Sequence, residues 1–216
     1  MTRIKPVALL FLLMLTLACT SALAQAESIL LVNRDHPLPA DYAPQDLVNL
    51  YEQKRHFRLA RSDIFLERQV FEAANRMFDQ AKKDGVERFT ITSGYRSREK
   101  QEELYAGGAN TNAAIPGTSE HETGLAFDVT TRRDSGGFET TKQFQWLIAH
   151  CWDYGFILRY PEGAEAITGF AYEPWHYRFV GEDIARLIRD RQWTLEEYCA
   201  WVEAQAEEKR IKGLVR

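Results

Sequence analysis

The sequence predicts an α+β domain, a small and mostly antiparallel sheet flanked by helices. Three observations lead there. Between Ser62 and Lys83, apolar residues recur at helical spacing (Ile64, Phe65, Val70, Phe71, Ala74, Met77, Phe78 and Ala81). Phe89–Thr92 and Gly124–Thr130 alternate as strands do. Helices and strands then follow one another through short connections.

Taken in order, residues 1–24 read as a secretory signal. Arg3 and Lys5 precede a 12-residue apolar run, Val7 to Ala18, which is shorter than the roughly 20 residues a spanning helix needs. Ala22-Leu23-Ala24 and Ala24-Gln25-Ala26 offer small-residue cleavage sites. A lipid-modified Cys19 is not expected, because Thr16 stands where such signals carry an aliphatic residue. Residues 25–60 form a wrapping segment, since Pro37, Pro39 and Pro44 exclude a long helix. The principal domain is expected over 61–191. Its long amphipathic helix stops at Asp84-Gly85, and Ser97–Ala106 reads as a short helix before a loop over Gly107–Gly117. Helix is expected over Thr140–Tyr154 and Glu182–Arg191, and strand over Phe156–Tyr160 and Trp175–Val180. Residues 192–216 are read as a C-terminal helix and tail, opened by the capping-box spacing of Thr194 and Glu197.

Composition narrows the class. Of 216 residues, 45% are hydrophobic and 27% charged, which excludes a disordered chain, a collagen-like repeat and a multi-span membrane protein. The formal charge of −4 becomes −6 once Arg3 and Lys5 leave with the signal, so no nucleic-acid partner is expected. Loss of Cys19 leaves Cys151 and Cys199, a pair that an oxidising compartment permits to bridge or that stays as two buried thiols. No stable membrane span is expected after cleavage.

Chemistry concentrates in two strings, Ser119-Glu120-His121-Glu122-Thr123-Gly124-Leu125-Ala126-Phe127-Asp128 and Glu173-Pro174-Trp175-His176. A catalytic zinc commonly takes three His or carboxylate ligands and keeps one position open. His121, Asp128 and His176 supply such a set, with Gly124 and Ala126 small enough for close backbone approach. Taken singly, each has an ordinary reading: Asp128 as the exposed side of a strand, His121 as a loop residue, His176 as a strand-edge histidine. His36, His56 and His150 read as surface or satisfied core histidines, and Arg98, Glu99 and Lys100 as a solvated helix face.

These strings resemble the signature of the zinc D-alanyl-D-alanine carboxypeptidases of the vancomycin-resistance (VanY-like) type, peptidase family M15B, within the superfamily of lysostaphin-like, D-Ala-D-Ala and hedgehog-type zinc folds. Ser93-Gly94-Tyr95-Arg96-Ser97 is similar to an upstream block of that family, and Leu31–Pro39 to its N-terminal segment. The similarity runs from about Leu31 to about Ile188. It implies one Zn2+ per chain on His121, Asp128 and His176, with Glu173 as catalytic base. Zinc lowers the pKa of bound water from roughly 15.7 to about 7, and a nearby carboxylate is suited to moving the water's proton to the leaving amine. The resemblance also implies that Arg96 binds near the scissile carbonyl or the terminal carboxylate, and that Gln101 and Ser119 hydrogen-bond the peptide's C-terminal end. Trp175 is expected to sit beneath the site, and Glu120 and Glu122 to tune local charge. The implied reaction is removal of the terminal D-alanine from peptidoglycan stem peptides in the periplasm or cell envelope. L,D-carboxypeptidase action on tetrapeptide stems, cell-wall endopeptidase action and a non-catalytic zinc-stabilised wall-binding module are the alternatives, and Glu173 argues against the last.

Overall fold

The computed structural model describes residues 29–109, 113–131 and 137–214; the expected signal lies outside them. From Leu31 the chain runs without helix to strand β1 (Leu47–Asn49), a 3-10 turn (Leu50–Glu52) and strand β2 (Arg58–Leu59). Val32, Leu38, Val48 and Leu50 are buried along the way, and the Leu38 N–H donates to the Gly117 carbonyl at 2.7 Å. These buried residues and this hydrogen bond hold the proline-rich segment against the rest of the chain, and it also contributes a strand.

The long helix starts later than its spacing suggests. Residues Phe65–Glu67 form strand β3, antiparallel to β1, and helix α1 spans Arg68–Lys83. Ile64 and Leu66 are both fully buried, a period of two that fits a strand as well as the helix beyond it. Glu67 holds the junction by accepting the Gln45 and Asp46 N–H groups. On α1, Val70, Phe71, Ala74, Met77, Phe78 and Ala81 face inward. Asp84 closes the helix through its N–H to the Gln80 carbonyl, and Gly85 follows at φ 78°.

Strand β4 (Phe89–Ser93), helix α2 (Arg98–Tyr105), strand β5 (Ala126–Thr131), helix α3 (Lys142–His150), strand β6 (Phe156–Leu158), a helical turn α4 (Glu165–Thr168), strand β7 (His176–Phe179), helix α5 (Glu182–Arg191) and helix α6 (Leu195–Leu214) follow. The main sheet has the order β2-β4-β5-β7-β6. Only β2–β4 is parallel; the other three pairings are antiparallel, as predicted. The α1 face meets the sheet through Phe78, whose ring centroid lies 4.7 Å from Phe89 and 6.1 Å from Phe127. Burying such a ring contributes about 1.5–3 kcal/mol.

Two registers position the site. In β5–β7, Asp128 lies directly opposite His176. In β4–β5 a bulge between Ile91 and Ser93 places Ser93 across from Asp128 and turns the chain out of the sheet into Gly94-Tyr95-Arg96. Residues 31–196 form one compact unit. Among the described residues no helix is long and apolar enough to cross a membrane, and no disulfide joins Cys151 and Cys199.

Candidate functional site

His121 sits in a 3-10 turn, Glu120–Thr123, that ends in Gly124 at φ 70°. A Cβ on Gly124 would come 2.9 Å from Leu47 Cδ2, so the small residue allows close approach to the N-terminal segment. Gly94 is equally constrained: a Cβ there would meet the Phe65 carbonyl oxygen at 2.4 Å. That close approach lets the Gly94 carbonyl accept from His121 Nδ1 at 2.9 Å, while the Arg96 N–H donates to the His121 carbonyl at 3.0 Å. Pinned on both sides, His121 directs Nε2 toward Asp128 Oδ2 at 3.4 Å.

Across the sheet, His176 Nδ1 lies 3.1 Å from Asp128 Oδ1. The two imidazole rings meet edge to face at 4.9 Å, and one ligand atom from each of His121, Asp128 and His176 lies within 4.8 Å of the others. Two imidazole nitrogens and one carboxylate oxygen, with their remaining ring nitrogens already occupied, form a donor set that suits catalytic zinc. The three predicted ligands are thus brought together, one from a turn and two from paired strands.

Glu173 stands on the same side. Its N–H donates to the Tyr160 carbonyl and its own carbonyl accepts the His176 N–H, both at 3.1 Å, closing a turn that brings Glu173 Oε2 to 3.8 Å from His176 Nδ1. Burial pushes the Glu173 carboxyl up from its usual range, with Asp128 and Glu120 adding to the rise and His176 and Arg96 opposing it. Burial lowers His121 as well. Burial opposes protonation of His176 too, yet hydrogen bonds to Asp128 and Glu120 carry it up to about 9. Asp128, despite its burial, is held well below the usual carboxylate range by the two histidines.

A cleft of about 160 Å³ opens over these groups, lined also by Arg96, Ser119, Tyr160 and Trp175. Burial lowers the Arg96 guanidinium from its ordinary value. Its Nη1 donates to Gln101 Oε1 at 2.7 Å and Nη2 to Ser93 Oγ at 3.3 Å. Gln101 is fully buried, and its Nε2 donates to the Ala114 carbonyl at 2.7 Å. It holds Arg96 from behind and does not line the cleft, whereas Ser119 does.

Several sequence expectations change here. Trp175 is 41% exposed at the cleft rim and not beneath the site. Arg98 does not belong to a solvated face: it pairs with buried Glu122, whose other oxygen accepts the Gly117 N–H at 2.8 Å. Ser97-Arg98-Glu99-Lys100 has the S-x-x-K spacing of serine acyl-transfer enzymes. Ser97 Oγ, however, caps α2 by accepting the Lys100 N–H, and Lys100 Nζ pairs with Glu103.

The largest departure is Glu120. Sequence reasoning gave it only local charge tuning, yet its side chain is fully buried. It accepts from Arg159 Nε at 2.7 Å and Arg178 Nη1 at 2.8 Å, and its Oε2 lies 3.2 Å from His176 Nε2. Arg159 in turn makes a two-pronged contact with Glu196, at 2.9 and 2.6 Å. These arginines hold the Glu120 carboxyl far below its usual range against the cost of burial.

A family profile, VanY: D-alanyl-D-alanine carboxypeptidase, matches residues 63–182. The chain is 40% identical to the putative carboxypeptidase YodJ of Bacillus subtilis over 187 residues, 80% of this chain and 67% of that protein. It spans 60–67% of the length of this and two Enterococcus D-alanyl-D-alanine carboxypeptidases. Among solved structures, the LdcB LD-carboxypeptidase superposes with a TM-score of 0.69 at 36% identity, covering 78% of this chain and 83% of that one. A vancomycin-resistance D,D-pentapeptidase VanY variant in complex with Zn(II) superposes with a TM-score of 0.65 at 34% identity, covering 78% and 96%. Since that profile takes in more than half of the sequence, and the fold and the two-histidine, one-aspartate cluster agree with it, the chain belongs to the VanY family of D-alanyl-D-alanine carboxypeptidases.

Proposed function

We propose that this protein is a zinc carboxypeptidase that removes the terminal D-alanine from peptidoglycan stem peptides, with His121, Asp128 and His176 as the metal ligands. One observation carries the reading. The ligand atoms of those three residues converge in a cleft that Glu173 and Arg96 also line. When bound, zinc supplies Lewis acidity that polarises the scissile carbonyl and makes hydroxide available near neutral pH.

The protein's own groups complete the reaction. Glu173, its carboxylate beside His176, accepts a proton from the attacking water and returns it to the departing amine. Water's oxygen joins the carbonyl carbon as the peptide C–N bond breaks, leaving a shortened peptide acid and free D-alanine. Arg96, set by Gln101 and Ser93, offers its guanidinium fork to the terminal carboxylate or to the oxyanion that develops on the carbonyl. Ser119 supplies a hydroxyl on the cleft wall for the peptide's C-terminal end. Residues 1–24 support export to the periplasm or cell envelope, where such stems are found.

A second reading, release of D-alanine from the L,D bond of tetrapeptide stems, is favoured by the likeness to the LdcB LD-carboxypeptidase. Mass spectrometry of pentapeptide and tetrapeptide stems incubated separately with the zinc-loaded protein, with and without chelator, tests both. Zinc-dependent loss of one D-alanine from pentapeptide alone is expected. Loss from tetrapeptide alone moves the assignment to the L,D bond, and no zinc-dependent cleavage of either overturns both readings.

A further inference from the structure

Glu120 is a buried charge that the proposed reaction does not use. Its surroundings contain two guanidinium groups, Arg159 and Arg178, and one further carboxylate, Glu196. Two cations and two carboxylates balance without any contribution from His176. The contact between Glu120 Oε2 and His176 Nε2 is therefore not needed to neutralise the arginines. Both arginine contacts fall on Oε1, which leaves Oε2 as an acceptor aimed at the back of the imidazole. A carboxylate has no proton to give, so each ring nitrogen that faces one donates, Nδ1 to Asp128 and Nε2 to Glu120. Asp128 belongs to the metal cluster and Glu120 does not, so Nδ1 is the nitrogen that exchanges its proton for a metal while Nε2 keeps its own.

The supports of Glu120 are also the supports of His176. Arg178 lies two residues further along β7, and the Arg159 N–H donates to the His176 carbonyl at 3.2 Å. Glu196 then fixes the outer end of Arg159. The carboxylate and the ring it faces thus hang from one buried frame.

We propose that Glu120 is a positioning residue that fixes the proton of His176 on Nε2 and so presents Nδ1 to the metal, with Arg159 and Arg178 holding the carboxylate in place. The proposal rests on His176 being a ligand. In Glu120→Gln, the amide oxygen takes the place between the two guanidinium groups and the amide NH2 faces His176. Nε2 must then accept, and the ring proton moves to Nδ1, the ligand atom. Groups behind metal-bound histidines typically change affinity by about 10–100-fold.

The test is zinc affinity, measured by competition with a chromophoric chelator, alongside the melting temperature of the metal-free protein. Glu120→Gln is expected to weaken zinc binding by about 10–100-fold, with Glu120→Asp, which restores an acceptor-only group, recovering much of the loss. Glu196→Gln, which touches Arg159 but not His176, is expected to lower the melting temperature with zinc affinity within about threefold of wild type. A folded Glu120→Gln protein that binds zinc as wild type does would overturn the proposal and leave Glu120 with only a structural role. Should that variant not fold, histidine nitrogen NMR of the zinc-loaded wild type decides: a proton on His176 Nε2 supports the proposal, and a bare Nε2 contradicts it. Zinc binding unchanged in His176→Ala marks failure of the ligand assignment itself.

Discussion

Two clefts lie toward opposite ends of β4, and they differ in kind more than in size. One, about 160 Å³, surrounds His121, Asp128, Glu173 and His176. The other, about 220 Å³, is lined by Arg55, His56, Arg58, Lys82 and Arg88 over the rings of Phe57, Phe78 and Phe89. In the second, the charged groups point to unrelated partners: Arg55 donates to the carbonyls of Leu50, Tyr51 and Gln53, and His56 lies 3.4 Å from Asp79. In the first, buried groups face one another, and every outer nitrogen of the two histidines has a fixed acceptor. Convergence of oriented, desolvated groups marks the reactive cleft; volume and charge alone do not.

The comparison predicts unequal effects. Replacing His121, Asp128 or His176 by Ala should remove both stoichiometric zinc and all measurable hydrolysis, read by metal content and a peptide assay. Arg96→Ala should lower kcat/KM by about 10²–10³-fold with zinc content unchanged. Gln101→Ala, which frees the Arg96 guanidinium without touching the cleft, should cost about 10–10²-fold. Zinc uptake at pH 7 should release about one proton, because His176, raised to about 9, is protonated in the metal-free protein. Zinc affinity should accordingly rise with pH up to about 9, and calorimetry in buffers of different ionisation enthalpy measures the release. At the other cleft, Arg58→Ala combined with Lys82→Ala should leave kcat/KM within about twofold and stability within about 0.5 kcal/mol. A larger loss of activity there would break the comparison.

The sequence made the His121, Asp128 and His176 cluster legible because its residues sit in short dense strings, and His121 and Asp128 are only seven positions apart. The long amphipathic helix and the antiparallel strands were legible from their periods. Strands β1 and β2, of three and two residues, are too short to show any period, and β3 shares apolar positions with the helix that follows it. The role of Glu120 was hidden for a different reason. Its partners Arg159 and Arg178 lie 39 and 58 residues away, and only the sheet register brings them beneath the turn. Arg98 was misread likewise, since its neighbours in sequence are solvated while its own side chain reaches back to Glu122.

The most direct test of the account is made on Glu173→Ala, with zinc content and release of D-alanine from pentapeptide stems measured on the same sample. Glu173 is assigned as the proton carrier and not as a ligand, so the account predicts one zinc per chain and hydrolysis slowed by about 10²–10⁴-fold. A zinc-loaded Glu173→Ala protein that releases D-alanine at the wild-type rate would contradict it.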